Sequence, residues 1–124
     1  MHLDGTWPQV LERGVADLAA FIRREQPGLD AEALAQVLLA CRREGFARAD
    51  ETMREVTAED SMRWTLARFG LPHPDPALVR VAIDAFCAYE DTRWMADPEA
   101  VPVLRVLAAE GLRLGICLLY TSPS

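Results

Sequence analysis

The stretch WMADPEAVPVLRVLAAEGLRLGI, residues 94–116, decides the fold, because it has the pattern of one helix followed by one strand. Asp97-Pro98 opens the helix, since Asp caps the first turn and Pro has a preset φ and no N–H to leave unpaired. Gly111 predicts the end of the helix, because glycine enters the left-handed conformation without steric cost. Beyond it every second residue is apolar, and a period of two predicts a strand over about 112–118.

This predicted strand implies a sheet, because a strand alone leaves its backbone N–H and C=O groups without partners. We find no second convincing strand elsewhere in the sequence. We therefore expect the chain to be a fragment of an α/β protein whose sheet lies outside it. Pairing with the same strand of a second copy is the alternative.

Four amphipathic helices are predicted before this unit, each from apolar residues at helical spacing and from signals at its ends. Since their apolar faces can be buried only against one another, they predict a bundle. Residues 46–56 are predicted to be a loop or a short helix at its rim. The four helices are expected from Trp7 to Gln26, from Asp30 to about Gly45, from Thr57 to Gly70 and from Asp75 to about Tyr89.

These elements predict a mainly α chain in three parts. Residues 1–93 are a four-helix-bundle-like region with a short N-terminal lead-in. Residues 94–116 begin a truncated α/β core, which the family resemblance given below implies to be Rossmann-like. Residues 117–124 are a separate tail.

The composition excludes several classes of protein. An apolar content of 51% in 124 residues is enough for one domain with its own core. Thirteen basic against nineteen acidic residues disfavour nucleic acid and anionic membranes as partners. The three cysteines are odd in number and widely spaced, which favours free thiols over a disulfide framework or a zinc site. Without a signal peptide or a long apolar run, the chain is expected to be soluble and cytoplasmic.

The segment DPEAVPVLRVLAAEGLRLGI, residues 97–116, resembles the haloacid-dehalogenase-like (HAD) hydrolase superfamily just before its second motif. There, a helix leads into a strand that ends in Ser/Thr-Asn. The preceding residues resemble the helical cap that one branch of the superfamily inserts between its first and second motifs. The resemblance covers the chain up to Ile116 and implies an N-terminal fragment that ends before or at the second motif.

The resemblance implies that the intact enzyme is a phosphatase. It would transfer a phosphoryl group from a small-molecule phosphate ester to an aspartate and then to water, with Mg²⁺ as cofactor. The cap would close over the site, exclude water and select the substrate. A 2-haloacid dehalogenase, which uses the same nucleophile at carbon without the metal, is the alternative within the superfamily.

Residues 2–6, HLDGT, allow two interpretations. The first motif of the superfamily is Asp-x-Asp-Gly-Thr after a buried strand, and in that register Asp4 is the general acid/base. His2 then stands in the place of the nucleophile, where it is the wrong residue type, and no apolar strand precedes it. We therefore favour a first motif upstream of Met1, with Asp4-Gly5 as a turn before the cap. The fragment itself is then expected to hold no catalytic residue and no metal ligand, and to be inactive.

Three further groups of side chains are weighed against structural roles. The first recurs every four residues but lacks the Glu-x-x-His pair of a di-iron bundle, which favours a solvated acidic face: Glu51, Glu55 and Glu59. The second suits the distal part of an anionic substrate, although surface pairing with glutamate is commoner: Arg42, Arg43, Arg48 and Arg54. The third is more typical of a core or a domain interface than of a ligand site: Phe46, Trp64, Tyr89 and Trp94.

A rival function from another class is an all-helical protein-interaction module, in which an exposed stripe or the lone strand docks a partner. Only the hydrolase hypothesis predicts an Asp-x-Asp motif upstream of Met1 and a Ser/Thr-Asn pair after Ile116. The sequence indicates neither the substrate nor the oligomeric state.

The last eight residues, CLLYTSPS at 117–124, depart from the resemblance. A strand with the sequence RLGI is expected to continue with one apolar residue, then Ser or Thr, then Asn, but Leu118 and Leu119 occupy those places. The eight residues also match the in-frame translation of a transposon-end sequencing adapter. We therefore predict that this tail is not native sequence.

Overall fold

The computed structural model describes residues 1–117, and four long helices form the body of the chain. Each helix packs on its neighbours in sequence, and the fourth packs back on the first, so the helices close a ring around one core. The prediction of a mainly α chain is confirmed, and the contacts are compatible with a four-helix-bundle-like arrangement. In chain order the elements are β1 His2–Leu3, α1 Trp7–Glu25, α2 Ala31–Thr52, α3 Ala58–Arg68, α4 Pro76–Asp91, β2 Trp94–Met95 and α5 Ala100–Ala109.

Side-chain caps begin three of these helices where the sequence predicts them. The Asp30 carboxylate accepts a hydrogen bond from the Ala33 backbone N–H at 3.2 Å. Thr57 and Asp60 cap each other's backbone N–H groups at 3.0 and 3.2 Å. Asp75 begins α4 in the same way. Each cap satisfies a donor that the first turn leaves unpaired, which typically contributes about 1 kcal/mol.

The core lies between the four helices. α1 and α4 approach closely at Gly14, where an added Cβ would lie 2.7 Å from the backbone oxygen of Phe86. This contact requires a residue without a side chain. The largest fully buried apolar side chains come from all four helices: Leu18, Ile22, Leu34, Leu38, Met62, Leu66 and Val79.

The second helix is longer than predicted. Gly45 does not end α2, which continues through residues 46–52 to Thr52 and ends with Met53 in the left-handed conformation. The reason is tertiary: an added Cβ at Gly45 would lie 3.0 Å from Val56, so the glycine allows the returning chain to pack against the helix. The prediction of a loop or separate short helix there was wrong for residues 46–52.

The helix-strand unit at residues 94–116 is corrected in two respects. α5 begins at Ala100 rather than at Pro98, because Asp97 forms a turn in which its carboxylate accepts from the Glu99 N–H at 2.9 Å. Residues 112–117, predicted as a strand, form no strand. A strand needs a partner for its backbone groups, and none of the described residues pairs with this segment. Position 118 and the rest of the predicted tail lie outside the described residues.

Gly111 ends α5 as predicted, with a φ of 84°. The Gly111 and Leu112 N–H groups donate to the carbonyl oxygens of Ala108 and Leu107, which is the Schellman pattern at a helix end. No residue of α5 is buried. The helix therefore forms without packing into the bundle.

Two short strands, which sequence reasoning missed, join the ends of the bundle. β1 and β2 are antiparallel, with Leu3 opposite Trp94. The Asp4 N–H extends the ladder by donating to the Arg93 carbonyl oxygen at 2.7 Å. Two residues are too few to show a period of two. None of the helices described here is long and apolar enough to cross a membrane.

Candidate functional site

A groove between α1, α2 and α4 is the candidate site, and we call it the α1–α2–α4 groove. It has a volume of about 330 Å³. Because α1 runs antiparallel to α2 and α4, the start of α1 meets the later halves of the other two helices there. The β1–β2 pair lies at this same end of the bundle. The side chains that form the groove include Trp7, Leu39, Arg42, Arg43, Phe46 and Phe86.

Aromatic side chains form much of the wall of the groove. Trp7 and Phe46 remain 48% and 58% exposed, and together they form an apolar patch at the groove. Trp7 is held edge-on to Trp94, with ring centroids 5.8 Å apart, so the strand pair fixes its position. The groove therefore offers a preformed apolar surface that the fold leaves open.

Two arginines from α2 add positive charge to this apolar wall. The Arg42 guanidinium lies over the Phe46 ring at 4.6 Å and donates to the Val56 carbonyl oxygen at 3.4 Å. Within residues 1–117, no ion pair includes Arg42 or Arg43. Glu90 also lines the groove, where its carboxylate accepts from the Trp94 indole N–H at 3.4 Å. Two positive charges thus face one negative charge.

A cysteine forms part of the groove floor. Burial raises the pKa of Cys87 from 9.0 to about 11, with further increases from Glu90 and Asp91 and a partial offset by Arg42. Since the thiolate is the nucleophilic form of cysteine, Cys87 is a protonated, unreactive thiol at neutral pH. It contributes apolar surface to the groove rather than covalent chemistry.

The HLDGT residues lie on the strand pair, outside the groove. Asp4 forms an exposed ion pair with Arg93 at 3.4 Å, and His2 lies opposite Met95 in the ladder. Across residues 1–117, no three His, Cys, Asp or Glu side chains converge as a metal site. The donor set at Asp4, one carboxylate paired with a guanidinium, does not fit Mg²⁺, so we derive no step through the metal.

The other arginines and the glutamates that the sequence singled out lie in different parts of the structure. Arg48 lines a separate cavity of about 180 Å³ with Trp64, while Arg54 lines neither this cavity nor the groove. Glu51 belongs to α2, and Glu59 belongs to α3, where it pairs with Arg63. The glutamates therefore do not form a row on one helix.

Sequence reasoning found part of the groove and missed the rest. Arg42, Arg43 and Phe46 were singled out, and the spacing of four between Arg42 and Phe46 is a local signal for contact on one helix face. Trp7 and Phe86 were missed as site residues, because only the packing of three helices brings them together. No local signal indicates this.

Comparison of the chain with protein-family models, with curated proteins and with solved structures found no match.

Proposed function

We propose that the bundle is the cap of a HAD-like hydrolase and that residues 94–116 begin its α/β, Rossmann-like core. The observation that carries this proposal is the antiparallel pairing of His2–Leu3 with Trp94–Met95. A domain inserted within another needs its two ends side by side, because both must connect to the same host. The bundle meets this requirement at the point where the resemblance places its ends.

The exposure of α5 supports the second half of the proposal. Its apolar side chains point in several directions, and no residue of the helix is buried. A helix that is apolar all round normally lies inside a larger fold. In the proposed enzyme, a sheet covers α5 and residues 112–117 join that sheet as a strand. Four of its side chains are about half exposed: Val101, Val103, Leu104 and Val106.

In the intact enzyme the proposed reaction is hydrolysis of a phosphate ester through an aspartate nucleophile, for which the resemblance implies Mg²⁺ as cofactor. The described residues supply neither group, so their part is that of a cap. The α1–α2–α4 groove lies beside the strand pair, which supports a position next to the core in this proposal. Closure of the cap would exclude water there, and Arg42 and Arg43 would face the substrate. Free thiols at Cys41, Cys87 and Cys117 agree with the proposed cytoplasmic location.

The α5 surface also favours one other function, that of a protein-interaction module. Such a module needs an exposed apolar surface, and α5 has one. A test for catalysis distinguishes the two functions. Only the hydrolase hypothesis predicts that the protein encoded by the complete reading frame hydrolyses a phosphate ester.

The test compares the 124-residue chain with the product of the complete reading frame that contains residues 1–116. We expect the 124-residue chain to hydrolyse p-nitrophenyl phosphate with Mg²⁺ at the background rate. The protein encoded by the complete reading frame should hydrolyse p-nitrophenyl phosphate. Its rate should fall by several orders of magnitude when the first aspartate of an upstream Asp-x-Asp motif becomes asparagine. Asp4→Asn in the complete product is the control and should leave the rate unchanged.

Other outcomes of this test have distinct meanings. Turnover by the 124-residue chain that is lost on Asp4→Asn would make HLDGT a working first motif. Halide release from a 2-haloacid in place of phosphate release would identify the dehalogenase. If the protein encoded by the complete reading frame had no activity and no Asp-x-Asp motif, the hydrolase proposal would be wrong. The interaction module would then be the remaining proposal.

A further inference from the structure

We infer that the α1–α2–α4 groove is a binding site for a small organic anion with an apolar body, such as an alkyl phosphate or a fatty carboxylate. The inference deepens the proposed function, on which it rests for the role of the groove, by naming the class of ligand that the groove takes. It rests on three properties of the groove: its size, its apolar wall and its unpaired arginines.

The size of the groove selects a small molecule. A volume of about 330 Å³ is at the lower end of the range of ligand pockets, which is about 300–1,000 Å³. The groove is bounded by three packed helices, so it exists before any ligand binds. A preformed pocket does not have to order its own backbone on binding, which favours affinity.

The wall of the groove requires an apolar part in the ligand. Trp7 and Phe46 present their rings at the opening, and Leu39 and Phe86 lie deeper. Covering these rings removes apolar surface from water, which favours binding. A purely polar ion would leave this surface wet and gain nothing from it.

The arginines require an anionic head. Arg42 has five N–H donors, and its described hydrogen bond to Val56 uses one of them. Its place over Phe46 fixes the guanidinium at the edge of the apolar wall. Arg43 lines the same groove and is exposed. In a chain with a formal charge of −6, two arginines without a carboxylate partner form a local site of opposite sign.

The experiment titrates the full chain with four matched probes by calorimetry. Hexyl phosphate and heptanoate carry both an apolar body and an anionic head, whereas 1-hexanol lacks the charge and inorganic phosphate lacks the body. We expect at least one of the first two to bind about tenfold or more tightly than both of the others. Which of them binds identifies the head group. Quenching of Trp7 fluorescence, lost in Trp7→Phe, places the ligand in the groove.

Arg43→Gln is the test variant, because Arg43 is exposed and its loss leaves no buried partner. It should weaken binding of the anionic probe by about tenfold. Arg48→Gln, on the same helix but outside the groove, is the matched control and should leave binding unchanged. Phe46→Ala is a second variant and should weaken binding by removing the apolar wall.

Four results would overturn the inference. They are the absence of binding by both anionic probes, equal affinity for 1-hexanol, equal affinity for inorganic phosphate, and an equal loss of affinity in Arg43→Gln and Arg48→Gln. Failure of the proposed hydrolase is distinguishable from these results, because its test is phosphate-ester hydrolysis by the protein that the complete reading frame encodes.

Discussion

At the scale of single residues, Cys87 gives a prediction for the effect of pH on stability. Its pKa is raised from 9.0 to about 11, chiefly by burial. Below pH 9 the thiol is protonated in both the folded and the unfolded chain, so the free energy of unfolding is unaffected. Between pH 9 and about 11 the unfolded chain releases the proton first, and stability is lost as the pH rises.

Cys87→Ala should therefore reduce the fall in stability between pH 9 and 11, which urea unfolding at a series of pH values measures. Cys117→Ala is the matched control, because Cys117 is exposed. The prediction fails if both variants lose stability as steeply as the parent chain over this range.

Residue-level signals predicted local structure well where the partner is close in sequence. Asp30, Thr57 and Asp75 cap the helices that the sequence assigned to them, because a cap needs only the next two or three backbone N–H groups. The arginines show the opposite case. Arg43 faces the groove, whereas Arg48 lines a different cavity. This difference depends on how α1, α3 and α4 pack around α2, and the sequence of α2 alone does not show it.

At the scale of elements, the contact of α1 with α4 depends on Gly14. Alanine normally favours a helix over glycine by about 1 kcal/mol. Here its Cβ would lie 2.7 Å from the Phe86 backbone oxygen, so the two helices would have to move apart. Since overpacking costs about 1–3 kcal/mol, we expect Gly14→Ala to lower the free energy of unfolding by about 1 kcal/mol despite its helix propensity.

Urea unfolding of Gly14→Ala and of a matched control measures this effect. Gly28→Ala is the control, because no atom lies within 4 Å of the Cβ it would add. It should leave stability unchanged or slightly higher. Equal stability of the two variants would mean that α1 and α4 adjust freely at this crossing.

The segment after α5 shows why element type could be predicted for helices and not for strands. A helix satisfies its own backbone groups, so the stripes of apolar residues in α1 to α4 were sufficient evidence for them. A strand depends on a second chain segment. The period of two at 112–117 indicates two faces, yet no described partner pairs with it, and the segment forms no strand. Conversely, β1 and β2 form where no pattern predicted a strand, because the bundle brings their backbones together.

At the scale of the whole molecule, the structure separates a packed bundle from an unpacked α5, and truncation tests this separation. A chain that stops after Ala96 keeps β2 paired with β1, and none of the described residues that it loses, 97–117, contributes a buried side chain. We therefore expect it to unfold in urea at the same midpoint and with the same cooperativity as the full chain. Deletion of residues 1–5 is the matched control, because it removes β1 and the partners of Trp94 and Arg93, and it should lower the midpoint. Loss of stability on removal of α5 would show that α5 packs against the bundle, which would contradict the division of the chain into a cap and the start of a separate core.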